Sequence, residues 1–111
     1  MNAARTVAIS REHVAQAVRE NGGLTEALDL YRKALDAHRA FRTQDPRNVR
    51  AACDAARVAE LLGDALSSAE APGACASWRE SQAVRQSLTP RAGACATSEE
   101  IARMALKLGP C

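Results

Sequence analysis

The sequence predicts an all-α protein, and three observations carry that prediction. Of 111 residues, 25 are Ala and four are Cys, so the 47% apolar fraction leaves 23 large apolar side chains to build a core. Ala, Leu, Arg and Glu are strong helix formers, whereas the three aromatics (Tyr31, Phe41, Trp78) and few β-branched residues supply a sandwich or barrel poorly. Finally, the apolar positions recur in steps of three and four rather than two.

In the first segment Val7, Val14, Ala17 and Val18 give a stripe that predicts a helix over 3–20. Asn21-Gly22-Gly23 closes it, because glycine tolerates the left-handed turn that ends a helix. Leu24, Ala27, Leu28, Tyr31, Ala34, Leu35, His38 and Phe41 form the longest stripe and predict a helix over 24–43, which pairs with the first as a hairpin. Asp45-Pro46 reads as an N-cap followed by proline at the first helical position, so a third helix is expected over 46–69 through Val49, Ala52, Ala56, Ala59, Leu62 and Leu66. Glu70-Ala71-Pro72-Gly73 breaks the chain. A fourth helix follows to about 89, with Cys75, Trp78, Val84 and Leu88 inward and Ser81 and Gln82 diluting its stripe. Thr89 to Ala96, with Pro90 and Gly93, reads as a linker. Thr97-Ser98-Glu99-Glu100 is a capping-box pattern that opens a fifth helix, 97–108, stopped by Gly109-Pro110. The domain thus reads as a hairpin 3–43, a hairpin 46–89 and a capping helix 97–108.

The second and fourth helices align at a constant offset. Ala27-Leu28-Asp29-Leu30-Tyr31-Arg32 meets Ala74-Cys75-Ala76-Ser77-Trp78-Arg79 and Phe41 meets Leu88, all 47 residues apart, a period typical of stacked helical pairs. Gly22 before Ala27, then Tyr31 and Ala34, resembles the second helix of a tetratricopeptide repeat, and Leu62-Gly63-Asp64 with Leu66 resembles the first-helix signature. Pro46 lies twelve residues after Ala34, so the helices are longer than the common unit of this family. Ala27 to Leu35, Asp45-Pro46-Arg47-Asn48, Leu62-Gly63-Asp64 and Ser98 to Arg103 are similar to the long-repeat tails that follow bacterial serine/threonine protein kinase domains. Ser81 and Gln82 stand where that pattern has Ala and Leu, which predicts looser packing of the second pair.

The resemblance implies a right-handed array of two hairpins and a capping helix, with Ala27, Tyr31, Ala34, Leu62, Gly63 and Trp78 in the repeat core. It also implies a partner groove along the first helix of each pair. Taking Ala15 and Gly63 as equivalent crossing positions, that groove would be lined by Glu12, Gln16, Arg19, Glu60, Asp64 and Ser67. Glu60 and Asp64 would repel a terminal carboxylate, so a basic or neutral protein or peptide is the expected partner.

Catalysis is not expected. The chain lacks a kinase's glycine-rich loop and its His-Arg-Asp and Asp-Phe-Gly segments, a phosphate-cradling Gly-x-x-x-x-Gly-Lys motif, a nucleophile elbow and a His-Glu-x-x-His pair. His13 and His38 have no metal-ligand spacing, and His38 on the stripe reads as a hydrogen-bonded interface histidine, so neither metal nor cofactor is expected. Arg32, Lys33, Arg39, Arg42, Arg47 and Arg50 are interleaved with Asp29, Asp36 and Asp45 and read as a solvated face, not a nucleic-acid site. With a net charge of +2, electrostatics alone recruits nothing.

No apolar run approaches the roughly 20 residues that span a bilayer, and Met1 to Val7 lacks an export signal's apolar core. A cytoplasmic interaction module is the leading expectation. The first alternative is the regulatory or sensory tail of a bacterial serine/threonine kinase whose catalytic domain lies outside this chain, extracytoplasmic if that kinase is membrane-anchored. The second is a redox or metal module built on the four cysteines. Cys53, Cys75, Cys95 and Cys111 lack C-x-x-C spacing and would be free thiols in a cytosolic chain. If they are bridged, antiparallel helix order favours Cys53 with Cys95 and Cys75 with Cys111.

Overall fold

Five α-helices and no strand form among the residues that the computed structural model describes, 2–88 and 95–111. The first, α1 (Asn2–Glu20), buries Ala8, Glu12 and Ala15, while Val7 and Val14 are 49% and 50% exposed. Of the expected stripe, Val7, Val14 and Ala17 face solvent, and only Val18 is half-buried against the larger core. Small alanine side chains let α1 approach its neighbours closely, and the charge of Glu12 is tolerated inside because it is paired. At its end Gly23 N–H donates to Val18 carbonyl (2.8 Å) and Gly22 N–H to Arg19 carbonyl (3.0 Å), with Gly22 at φ 89°, a left-handed turn that glycine adopts without strain.

Helix α2 (Leu24–Gln44) buries Ala27, Leu28, Tyr31, Ala34, Leu35 and His38, following the expected stripe. Asp45 does not cap the next helix, because it closes α2, its N–H donating to Phe41 carbonyl. Asn48 caps α3 (Val49–Ser68) instead, its side chain accepting from Ala51 N–H at 3.1 Å. Pro46 consequently sits in the turn between helices.

Helix α3 is central and is packed on two sides. Ala55, Val58, Ala59, Leu62 and Leu66 join the α2 side chains in the larger core cluster. Ala52 and Ala56 form the smaller cluster with Val84, Leu88 and Ala96. It ends with Ala71 N–H on Leu66 carbonyl and Glu70 N–H on Ser67 carbonyl, which forces Glu70 to φ 53°.

Helix α4 (Ala74–Ser87) buries Ser81, Val84 and Arg85, and Leu88 caps it. Ser81 does not dilute the packing. It is fully buried and its hydroxyl donates to Ala56 carbonyl at 2.8 Å, so it joins α4 to α3. The linker expected over Thr89 to Ala96 lies outside the described residues for 89–94. Helix α5 (Ser98–Leu108) starts with the capping box: Glu100 N–H donates to Thr97 Oγ1, and Thr97 N–H donates to Glu100 Oε1. Only Met104 of α5 is buried.

Each helix packs on its neighbours in sequence: α1 on α2, α2 on α3, α3 on α4 and α4 on α5. The result is a slab of 38 × 37 × 18 Å. Two disulfides, Cys53–Cys95 (Cα atoms 5.6 Å apart) and Cys75–Cys111 (5.9 Å), join the pairs that antiparallel helix order favours. They fix the segments on either side of α5 to α3 and α4. No described helix is long and apolar enough to cross a membrane.

Candidate functional site

A charged stripe runs along α3 through Asp54, Arg57, Glu60 and Asp64, spaced by three or four residues and therefore on one face. Toward α1 and α2, Arg57 donates through Nε and Nη2 to the two oxygens of Glu12 (2.9 Å each) and through Nη1 to Asp54 Oδ1 (3.0 Å). Arg5 closes on Asp54 from α1, Nε to Oδ2 at 2.7 Å. His38 is fully buried with Nε2 3.0 Å from Glu12 Oε2, an arrangement in which Nε2–H donates to the carboxylate. Its Nδ1 makes no hydrogen bond among the described residues, and Asp54 Oδ2 lies 3.8 Å from it.

Burial alone would raise the carboxyl pKa values here. Hydrogen bonds from His38 and Arg57 overcome that effect and hold Glu12 below its ordinary value. Arg5 and Arg57 do the same for Asp54.

Toward α4 and α5, Glu60 is the centre. It is buried, and it accepts from Arg85 of α4 (2.9 Å), from Arg103 of α5 through both Nε and Nη2 (2.8 Å each), and from Lys107. Burial again pushes its pKa upward, but the bonds and charges of Arg103 and Lys107 dominate and bring it down to about 2. Asp64 accepts from Lys107 (2.9 Å) and from Trp78 Nε1 (3.0 Å). Arg85, itself buried, also donates to Glu100 Oε2 (2.9 Å) and to Cys95 carbonyl (2.8 Å). A depression of about 480 Å³ opens beside this cluster, walled by Arg57, Glu60, Asp64, Arg85 and Arg103.

The six expected groove residues thus divide. Glu12 and Glu60 are buried ion-pair centres, not groove surface, and Asp64 is half-buried and engaged. The expectation of free acids at Glu60 and Asp64 is overturned, because α5 lays Arg103 and Lys107 across them. Arg19 is half-buried and reaches α3, donating to Ser68 Oγ at 2.8 Å. Gln16 and Ser67 are exposed.

Of the expected core, Ala27, Tyr31, Ala34, Leu62 and Gly63 are buried, whereas Trp78 is only half-buried. Gly63 lies so close to the indole that an added Cβ would come within 2.4 Å of Trp78 Cδ1.

Sequence reasoning missed Arg5, Asp54, Arg57, Arg85, Arg103 and Lys107. One signal was available: Glu60 and Asp64 are four apart, and so are Arg103 and Lys107, a complementary match between two helices. Comparison with protein-family models, with curated proteins and with solved structures gave no match.

Proposed function

We propose that this chain is a non-catalytic protein–protein interaction module, built as two tetratricopeptide-like hairpins with α5 as the capping helix. The observation that carries the reading is the sequential packing of helices whose α2 and α4 residues correspond at an offset of 47. Stacked pairs of this kind leave broad, continuous faces suited to a partner protein. On this reading the partner lies along α1 and α3, where Gln16 and Ser67 are exposed and Arg19 spans the two helices. The test is capture of a partner by the full chain from its native lysate, followed by affinity measurement. Gln16→Arg combined with Ser67→Arg is expected to weaken binding by about tenfold or more, in the range of a lost interface anchor. Arg32→Glu on α2 serves as the control, and equal binding by all three proteins would remove the α1–α3 face from consideration.

The two disulfides favour the regulatory-tail reading over a cytosolic adaptor, since such bonds persist in oxidising compartments. An extracytoplasmic location is the corresponding proposal. Non-reducing peptide mapping of protein from its native compartment tests it: four free thiols there would return the chain to the cytosol.

A further inference from the structure

Helix α5 has an unusual balance of attachments. Its single buried side chain is Met104, whose sulfur lies 3.9 Å from the Ser81 hydroxyl. Ile101 and Leu108 are half-buried beside it, and the rest of its attachment is ionic or covalent: Arg103 and Lys107 on Glu60 and Asp64, Glu100 on Arg85, and a disulfide beyond each end. At 11 residues it is shorter than the roughly 12–15 at which an isolated helix persists in water.

The surface beneath α5 has a readable chemistry. Glu60 and Asp64 accept two cations one helical turn apart, and the Ser81 site takes an unbranched apolar chain beside the first cation. Arg85 takes an acid one turn earlier. This describes a ligand helix with an acid, then a base followed by an apolar residue, then a second base, the pattern that Glu100, Arg103, Met104 and Lys107 present.

We propose that this face of α3 and α4 is a binding site for an amphipathic helix of a partner protein that carries two bases one turn apart, that α5 is its resident occupant, and that the two disulfides control its release. The proposal rests on the partner-binding reading and adds to it the partner's chemistry and a redox condition. With both bridges closed, α5 is fixed on either side and cannot be displaced. Opening each bridge breaks one S–S bond and takes two electrons and two protons from a dithiol reductant, which leaves as its own disulfide. The chain then carries four thiols. Cys111 is exposed and Cys53, Cys75 and Cys95 are half-buried, so a reductant can reach both bonds. Once they open, α5 competes for its site as a tethered ligand, at a finite effective concentration.

The experiment uses the full chain, oxidised or treated with dithiothreitol. Hydrogen exchange should show α5 amides losing protection by about tenfold or more on reduction while α2 and α3 keep theirs. A labelled synthetic peptide of residues 97–108 should bind the reduced chain about tenfold or more tighter than the oxidised one, the range of ordinary allosteric coupling. Arg103→Glu with Lys107→Glu, which weakens the tethered competitor, should tighten peptide binding to the reduced chain further.

Unchanged α5 protection after reduction would overturn the proposal, as would equal peptide affinity in the two states. Loss of protection throughout α2 and α3 would also overturn it, since the bridges would then hold the whole fold together. A natural partner that binds through Gln16 and Ser67 in both redox states would leave the interaction-module reading standing while this site fails.

Discussion

Glu60 carries more of this structure than any other charged side chain, and its environment sets a pH dependence. Its folded pKa of about 2 lies below the ordinary 4.5, so between those values the unfolded chain binds a proton that the folded chain does not. The stability it contributes is full above about pH 4.5 and is lost as pH falls toward 2. With screening around half-exposed Arg103 allowed for, the loss is about 2 kcal/mol. Urea titrations of the wild type and Glu60→Gln should differ by about 2–4 kcal/mol at pH 7, because the amide takes from Arg103 its paired carboxylate and leaves Arg85 and Lys107 with one carboxylate fewer. The gap should narrow as the pH approaches 2. Tyr31→Ala should cost about 3–5 kcal/mol, since the ring is fully buried, and Trp78→Ala less. Gly63→Ala should cost about 1–3 kcal/mol, because the new methyl drives the indole off Asp64, and a shift in Trp78 fluorescence would report the movement.

At the level of elements, apolar periodicity disclosed α2 almost to the residue, and the capping box located the start of α5. Both signals are local. The face of α1 was not legible, because its valines have the correct spacing while the buried row is alanine interrupted by a glutamate. That glutamate is buried only because Arg57 and His38 meet it from other helices, 45 and 26 residues away in sequence. The same reason hid Arg85 and Ser81: a polar residue on a helix looks solvated until its partner is known. Of the six candidate groove residues, Glu12, Glu60 and Asp64 were expected as groove surface and are ion-pair centres instead. The end of α3 offers a separate test. Glu70 holds a left-handed conformation that costs an ordinary side chain about 1–2 kcal/mol. Glu70→Gly should therefore raise stability by about 0.5–1 kcal/mol, part of the gain being offset by the freer unfolded chain, and thermal melts would measure it.

For the molecule as a whole, the two bridges close segments with sequence separations of 42 and 36, which loop-closure arguments value at about 4 kcal/mol each. Because the closed segments run from α3 to α5, reductant should lower the melting temperature of that portion while the core shared by α1, α2 and α3 keeps its own transition, and calorimetry with and without it would show this. The benefit is unevenly placed. At 18 Å the slab is thin: α1, α2 and α3 share the larger core cluster, and the smaller one joins α3 to α4. One edge is stapled covalently and the other, α1, is attached through alanines and ion pairs. Disassembly therefore has a direction. Under proteolysis of the oxidised chain the first cuts are expected in α1, with the α3–α5 portion surviving as a resistant fragment, so that the molecule comes apart like a zip with only one end sewn shut.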